Sequence, residues 1–180
     1  MHTAAVAAAD LSGERHPVDV GGGAGGLTAA FLERYPELRA TLLDRPHVLP
    51  DAEDLLRDAG VSDRVKLVAG DFLDSVPAGG DVYLLSMIVH DWTDEDAGRL
   101  LETIRRAIPD TGRLLIIDAV LAPGDAPHFG KLLDLTMLAM LTGRERNEEE
   151  FAALLDAAGF QLVAVAQMAA PTSLIEARPV

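Results

Sequence analysis

The side chains that could do chemistry recur at one kind of place, the end of an apolar run. Asp19-Val20-Gly21-Gly22-Gly23-Ala24-Gly25-Gly26 sets an acid before a stretch in which five of six residues are glycine. Glycine lets the backbone take positive φ and lets a ligand come close to the main chain. Asp44 ends a second run, where an acid can accept hydrogen bonds from ribose hydroxyls. Asp71 and Phe72 follow a third run: the acid can accept from an adenine amino group while the ring packs on the base. A fourth run leads through Ser86 to His90-Asp91-Trp92. Glu145 stands in the charged stretch Arg144 to Glu150. Each residue also has a plain reading: a tight turn for the glycines, a solvated strand end for Asp44, a helix start for His90, a solvated acid for Glu145.

The elements that must carry these residues alternate between strand and helix. Pro17–Val20, Ala40–Leu43, Val65–Val68, Val82–Leu85 and Leu114–Ile117 read as strands, and all are continuous apolar runs. Continuous runs predict burial on both faces, as in a parallel sheet covered by helices. Helices are expected from about Leu27 to Tyr35, stopped by Pro36, and from about Pro50 to Ala59, stopped by Gly60. Thr93 followed by Asp94-Glu95-Asp96 reads as a capped helix start, with Leu100, Leu101, Ile104, Ala107 and Ile108 on one face. Asn147 caps another helix, which Gly159 ends. Two further strands, Phe160–Val165 and Ser173–Ala177, are too close for a helical crossover and are expected to pair antiparallel. The whole predicts an α/β fold, doubly wound.

Gly21, Gly23 and Gly26 also satisfy the dinucleotide pattern G-x-G-x-x-G, so the loop alone does not choose a ligand. Asp19 does: it would face a dinucleotide's phosphates unfavourably, whereas it suits the ammonium group of S-adenosylmethionine. The antiparallel C-terminal hairpin points the same way. An NAD oxidoreductase is disfavoured on these grounds and by Asp71.

Val18-Asp19-Val20-Gly21-Gly22-Gly23, Asp71-Phe72, His90-Asp91-Trp92 and Gly143-Arg144-Glu145-Arg146 resemble the plant caffeate-type O-methyltransferases and their bacterial relatives in polyketide tailoring. The resemblance runs from about Asp10 to Ala177 and implies a Rossmann-like class I methyltransferase fold, a mainly parallel seven-stranded sheet with an antiparallel C-terminal hairpin. It implies S-adenosylmethionine as cofactor and methylation of a phenolic or polyketide-like hydroxyl on a small molecule. By resemblance His90 is the general base, bracketed by Glu145 and by Asp118, where many members carry Glu. Gly21, Gly23 and Asp44 match donor contacts, Asp71 and Phe72 the adenine contacts, and Trp92 a wall of the donor site. Ser86 stands where plant members often carry Lys, and Asp118 is one methylene shorter than Glu. A phenol titrates near ~10 and imidazole near ~6.5, so a base is required at neutral pH. No metal is expected, since His2, His16, His47, His90 and His128 show no ligand spacing. Alternatives within the resemblance are a catalytically silent donor-binding domain, or one serving a non-methylating step such as hydroxylation or decarboxylation.

The net charge of −14 argues against nucleic acid and anionic membrane surfaces as partners. No apolar stretch reaches the ~20 residues of a membrane span. The absence of cysteine fits a cytoplasmic protein. Residues 1–180 are expected to form one donor-binding domain, without the N-terminal helical domain that dimerises family members, so a homodimer is expected to be weakened. The helix expected over Lys131–Leu141 is apolar almost all round from Leu135 on, as for a pocket wall or a domain interface.

Overall fold

The computed structural model describes residues 2–122, 124, 130–134 and 143–180. His128 and the apolar stretch Leu135 to Leu141 lie outside the described residues.

The chain runs α1 (His2–Ala8), β1 (Pro17–Val20), α2 (Gly26–Arg34), β2 (Ala40–Asp44), α3 (Leu49–Asp58), β3 (Val65–Ala69), β4 (Val82–Ser86), α4 (Asp94–Ala107), β5 (Arg113–Asp118), β6 (Val120–Leu121), β7 (Arg146–Asn147), α5 (Glu148–Ala157), β8 (Phe160–Gln167) and β9 (Ser173–Pro179). Residues 130–134 are also helical. One seven-stranded sheet has the order β3-β2-β1-β4-β5-β9-β8. β1 to β5 are parallel, and β9 runs antiparallel to both β5 and β8.

The central strands are buried at nearly every position because each parity serves a different layer. Val18, Val20, Tyr83, Leu85, Leu114 and Ile116 pack with Leu100, Leu101 and Ile104 of α4 and Phe151 and Leu155 of α5. Leu42, Leu84, Leu115 and Ile117 pack on the other face with Ala5 of α1, Phe31 and Leu32 of α2 and Leu56 of α3. Full burial of such a side chain contributes roughly 1.5–3 kcal/mol each. Two helix starts are fixed by side chains. The Thr93 hydroxyl accepts from the Asp96 N–H at 3.2 Å, and Asn147 and Glu150 exchange reciprocal side-chain bonds, each 2.9 Å.

Three features differ from the sequence expectation. β3 is only half-buried, because it lies at the rim, where the covering helices run out. The Ala-rich start is a helix, α1, whose Ala5 is buried against α2. The short β6–β7 pair has no pattern a sequence could reveal, yet its register sets Val120 opposite Arg146 and so brings Glu145 toward the end of β5. Among the described residues, no helix is long and apolar enough to cross a membrane.

The chain leaves β1 for β2 on one side and returns to β4 on the other. Such a reversal opens a crevice at the carboxyl ends of the two strands. Gly21 follows β1 there, and Ser86 ends β4.

Candidate active site

The glycine loop forms one wall of a cleft of about 260 Å³, lined by Asp19, Gly21, Gly22, Gly23, Ser86 and His2. Gly21 has φ 72°, and a Cβ there would lie 2.7 Å from Ile88 Cδ1 and 3.3 Å from the Phe72 ring. Only glycine satisfies both demands. The loop is tied down from the second strand: the Gly23 N–H donates to Asp44 Oδ2 at 2.7 Å. Asp44 Oδ1 accepts from the Arg45 N–H. A carboxylate has lone pairs beyond these two bonds, so Asp44 can still accept from a ligand hydroxyl.

Asp19 is buried beneath this loop. Its Oδ2 accepts from the Thr28 hydroxyl at 2.6 Å, while Oδ1 is buried with no hydrogen-bond partner. Burial pushes its carboxyl up to about 6, against the Thr28 hydrogen bond and with help from the Asp44 charge. A buried acceptor without a donor is costly. The lining of this cleft by Asp19 therefore suits a cationic, hydrogen-bond-donating group such as an ammonium.

At the end of β3, Asp71 Oδ1 accepts from the Leu73 N–H at 2.9 Å, and Oδ2 lies 3.7 Å from the Arg45 guanidinium. The Phe72 ring meets Trp92 edge to face, centroids 5.7 Å apart. Phe72, Trp92 and Ile88 thus form an apolar wall beside the glycine loop.

The second half of the site is built on the turn after β4. Met87 takes φ 57°, a left-handed conformation uncommon for a non-glycine residue, and its N–H is held by the Ile117 carbonyl at 2.9 Å. A 3₁₀ turn, Val89–Asp91, then carries His90, which is buried. Its Nδ1 lies 2.9 Å from Asp118 Oδ1 and 3.1 Å from Glu145 Oε1, and its backbone N–H donates to Asp118 Oδ2 at 3.1 Å. Asp118 therefore reaches both the ring and the backbone of His90 despite its shorter side chain. Carboxylate neighbours at Nδ1 require that nitrogen to be a donor, which leaves Nε2 to gain or lose a proton. Nε2 faces Asp91 Oδ1 at 3.3 Å. Burial alone would lower the imidazole; the hydrogen bonds and charges of Asp118 and Glu145 outweigh it and push His90 up to about 10.

Glu145 is raised above the ordinary glutamate range, first by burial and then by the Asp118 and Asp134 charges, against its bond to His90. Its Oε2 is buried without a partner, and its backbone N–H donates to Asp134 Oδ1 at 2.9 Å. His90, Asp118 and Glu145 each offer a ligand atom within 4.8 Å of the others, a donor set that could in principle hold a cation. Their contacts converge instead on one ring nitrogen at hydrogen-bond distances, the arrangement of a shared proton.

The structure thus gathers Asp19, Gly21, Gly23 and Ser86 around one cleft, with Asp44 bonded to it and Phe72 and Trp92 beside it. It gathers His90, Asp118 and Glu145 into a second, buried cluster on the turn after β4 and at the end of β5. Thr28 and Asp134 were not singled out by sequence, and Arg146 figured only inside the motif of the resemblance, with no role of its own. Thr28 stands among apolar residues on the buried face of α2, a polar exception that a reader could find.

The sequence signature of the family described as "O-methyltransferase domain" matches residues 1–161. The phenazine O-methyltransferase PhzM of Lysobacter antibioticus is 46% identical over 98% of this chain and 52% of its own length. The aclacinomycin 10-hydroxylase RdmB of Streptomyces purpurascens is 42% identical over 85% of this chain and 41% of its own. The structure of an O-methyltransferase from neocarzinostatin biosynthesis, NcsB1, in complex with S-adenosylmethionine and 2-hydroxy-5-methyl naphthoic acid, superposes with a TM-score of 0.90. It is 34% identical, covering 99% of this chain and 53% of that one. The chain therefore spans about half the length of the relatives it matches.

Proposed function

Since the chain belongs to the O-methyltransferase domain family, we propose that residues 1–180 form one S-adenosylmethionine-binding domain that methylates a phenolic or polyketide-like hydroxyl of a small molecule. The observation that carries this reading is the double carboxylate contact at His90 Nδ1, which leaves Nε2 to take a proton.

The residues fit the donor. Asp19 Oδ1 lacks the hydrogen-bond donor that the donor's ammonium would supply. In this reading Asp44 takes the ribose hydroxyls, Asp71 and Phe72 the adenine, Ser86 of the cleft lining lies along the donor, and Trp92 walls its site. When bound, S-adenosylmethionine supplies a methyl carbon on a sulfonium cation, open to in-line displacement. The protein's share is alignment and the movement of one proton. His90 Nε2 takes the hydroxyl proton as the oxygen attacks, and Asp118 and Glu145 hold the resulting imidazolium. An ordinary imidazole is a far weaker base than a phenolate. Raising His90 to about 10 brings it level with a phenol at ~10, so the proton passes with almost no thermodynamic penalty. The same shift keeps His90 protonated at neutral pH, so kcat/KM is expected to rise with pH until it nears that value.

Identity of 42% to a protein named as a hydroxylase supports a second reading, in which donor binding serves a non-methylating tailoring step.

The test is calorimetric titration of the chain with S-adenosylmethionine, S-adenosylhomocysteine and NAD, followed by transfer of labelled methyl to 2-hydroxy-5-methyl naphthoic acid, the compound in the NcsB1 complex. The sulfur ligands are expected to bind and NAD to be ignored. His90→Ala is expected to keep donor affinity and to lose ~10²-fold or more in turnover. Binding of NAD alone would overturn the donor assignment. Undiminished turnover in His90→Ala would remove the base. Donor binding with altered but unmethylated acceptor would select the second reading.

A further inference from the structure

Arg146 is the largest fully buried side chain among the described residues, and a buried guanidinium needs its donors engaged. The Arg146 side chain makes four hydrogen bonds and an ion pair with Asp94. Nε donates to Asp94 Oδ1 at 2.9 Å, and Nη2 reaches the same oxygen at 2.8 Å. Nη1 donates to the Val89 carbonyl at 3.0 Å and the Arg144 carbonyl at 3.3 Å, and Nη2 to the Trp92 carbonyl at 3.0 Å. Val89 and Trp92 bracket His90 and Asp91. The guanidinium therefore grips the catalytic turn on both sides, while its own backbone neighbour, Glu145, touches the ring held within that turn. Gly143 closes the same clasp: a Cβ there would run into the His90 carbonyl oxygen and the Asp91 backbone.

We propose that Arg146 is a positioning residue that fixes the Val89–Trp92 turn against β7 and the Glu145 that precedes it, so that the His90 ring presents Nδ1 to both carboxylates at once. The charged groups facing His90, among the described residues, are Asp91 from its own turn, Asp118 from the end of β5, and Glu145 before β7, with Asp134 behind Glu145. All are acids, so the ring's basicity depends on how closely it is held to them. A turn released from Arg146 moves the ring off one or both carboxylates and lowers its hold on the proton. Lysine supplies charge but only three donors on a single nitrogen, and cannot span the two carbonyls and Asp94 together. The proposal rests on His90 as the proton acceptor, but its ring can be followed without turnover.

The experiment follows the His90 side-chain nitrogens by ¹⁵N NMR across pH in the wild type, Arg146→Lys, Asp94→Ala and Arg113→Lys. Asp94 is an exposed anchor, so its variant loosens the clasp without emptying the interior. Arg113 bonds Glu14 and Glu176 away from the site and serves as the comparison for a guanidinium that only stabilises the fold. Arg146→Lys is expected to lower the His90 titration by roughly one pH unit or more. The rising limb of kcat/KM is expected to move with it, while donor affinity holds. Asp94→Ala is expected to shift the ring the same way by less, and Arg113→Lys to lower only the melting temperature. A folded Arg146→Lys whose His90 titrates as in wild type overturns the proposal. If Arg146→Lys does not fold, an unmoved ring in Asp94→Ala overturns it. A shifted ring in a chain that transfers no methyl group upholds the clasp and sinks the methyltransferase reading instead.

Discussion

Asp19 is held in a state that works against the fold. Its carboxyl is raised to about 6 from an ordinary 3.8 by burial, so the native state binds this proton more tightly than the unfolded chain does. Stability from this group is complete below about pH 3.8 and is lost as pH rises through 6. Asp19→Asn removes the ionisation and keeps an acceptor for Thr28. It is expected to stabilise the chain by about 1–3 kcal/mol at pH 7.5 but not near pH 4, while weakening the donor. Urea denaturation at the two pH values, with a donor titration, measures both effects; equal shifts at both values would show that ionisation is not the cause. Residues of this kind were legible in the sequence because they fall where apolar runs end, and strand ends face the crevice. Arg146 was not legible. Charged residues are almost never fully buried, so a sequence reader assigns such a side chain to solvent.

The helices are anchored by side chains whose loss has a predictable size. Asn147 and Glu150 bond reciprocally at the start of α5, directly after the strand that carries Arg146. Asn147→Ala is expected to cost about 1 kcal/mol in thermal or urea unfolding. A loss near zero would mean that water replaces the cap. Asn147, Thr93 and Gly60 announced their elements because capping is local chemistry. The antiparallel hairpin β8–β9 was legible from the brevity of its connection. The β6–β7 pair was not, because two residues carry no period, and its pairing is decided by where β5 ends rather than by its own composition. That pair matters to the site, since it sets Glu145 beside Asp118.

Across the whole molecule, acids outnumber bases enough to give a net charge of −14, with both carboxylates that meet the His90 ring buried among them. Such a surplus repels itself in the compact state. Raising ionic strength from ~10 mM to ~150 mM shortens the screening length to ~8 Å and is expected to raise the melting temperature. A melting temperature that falls with salt would mean that ion pairs such as Arg113 with Glu14 and Glu176 outweigh the repulsion. The sheet order itself was legible only in part. Continuous apolar runs announced a covered parallel sheet, but they did not distinguish the buried centre from the half-exposed rim at β3, because position in a sheet is settled by neighbours.

The sheet order also divides labour along the chain. Asp19, Gly21, Gly23, Asp44 and Asp71 come from β1 to β3 and the loops that follow them, whereas His90, Asp118 and Glu145 come from β4 onward. The two groups are encoded in separate stretches of the sequence. On the proposed roles, most donor contacts precede β4, while Ser86 and Trp92 belong to the part that carries the acid–base cluster. Crossovers near residue 80, between β3 and β4, are then expected to move the His90 cluster as a block, with Ser86 and Trp92 travelling alongside it.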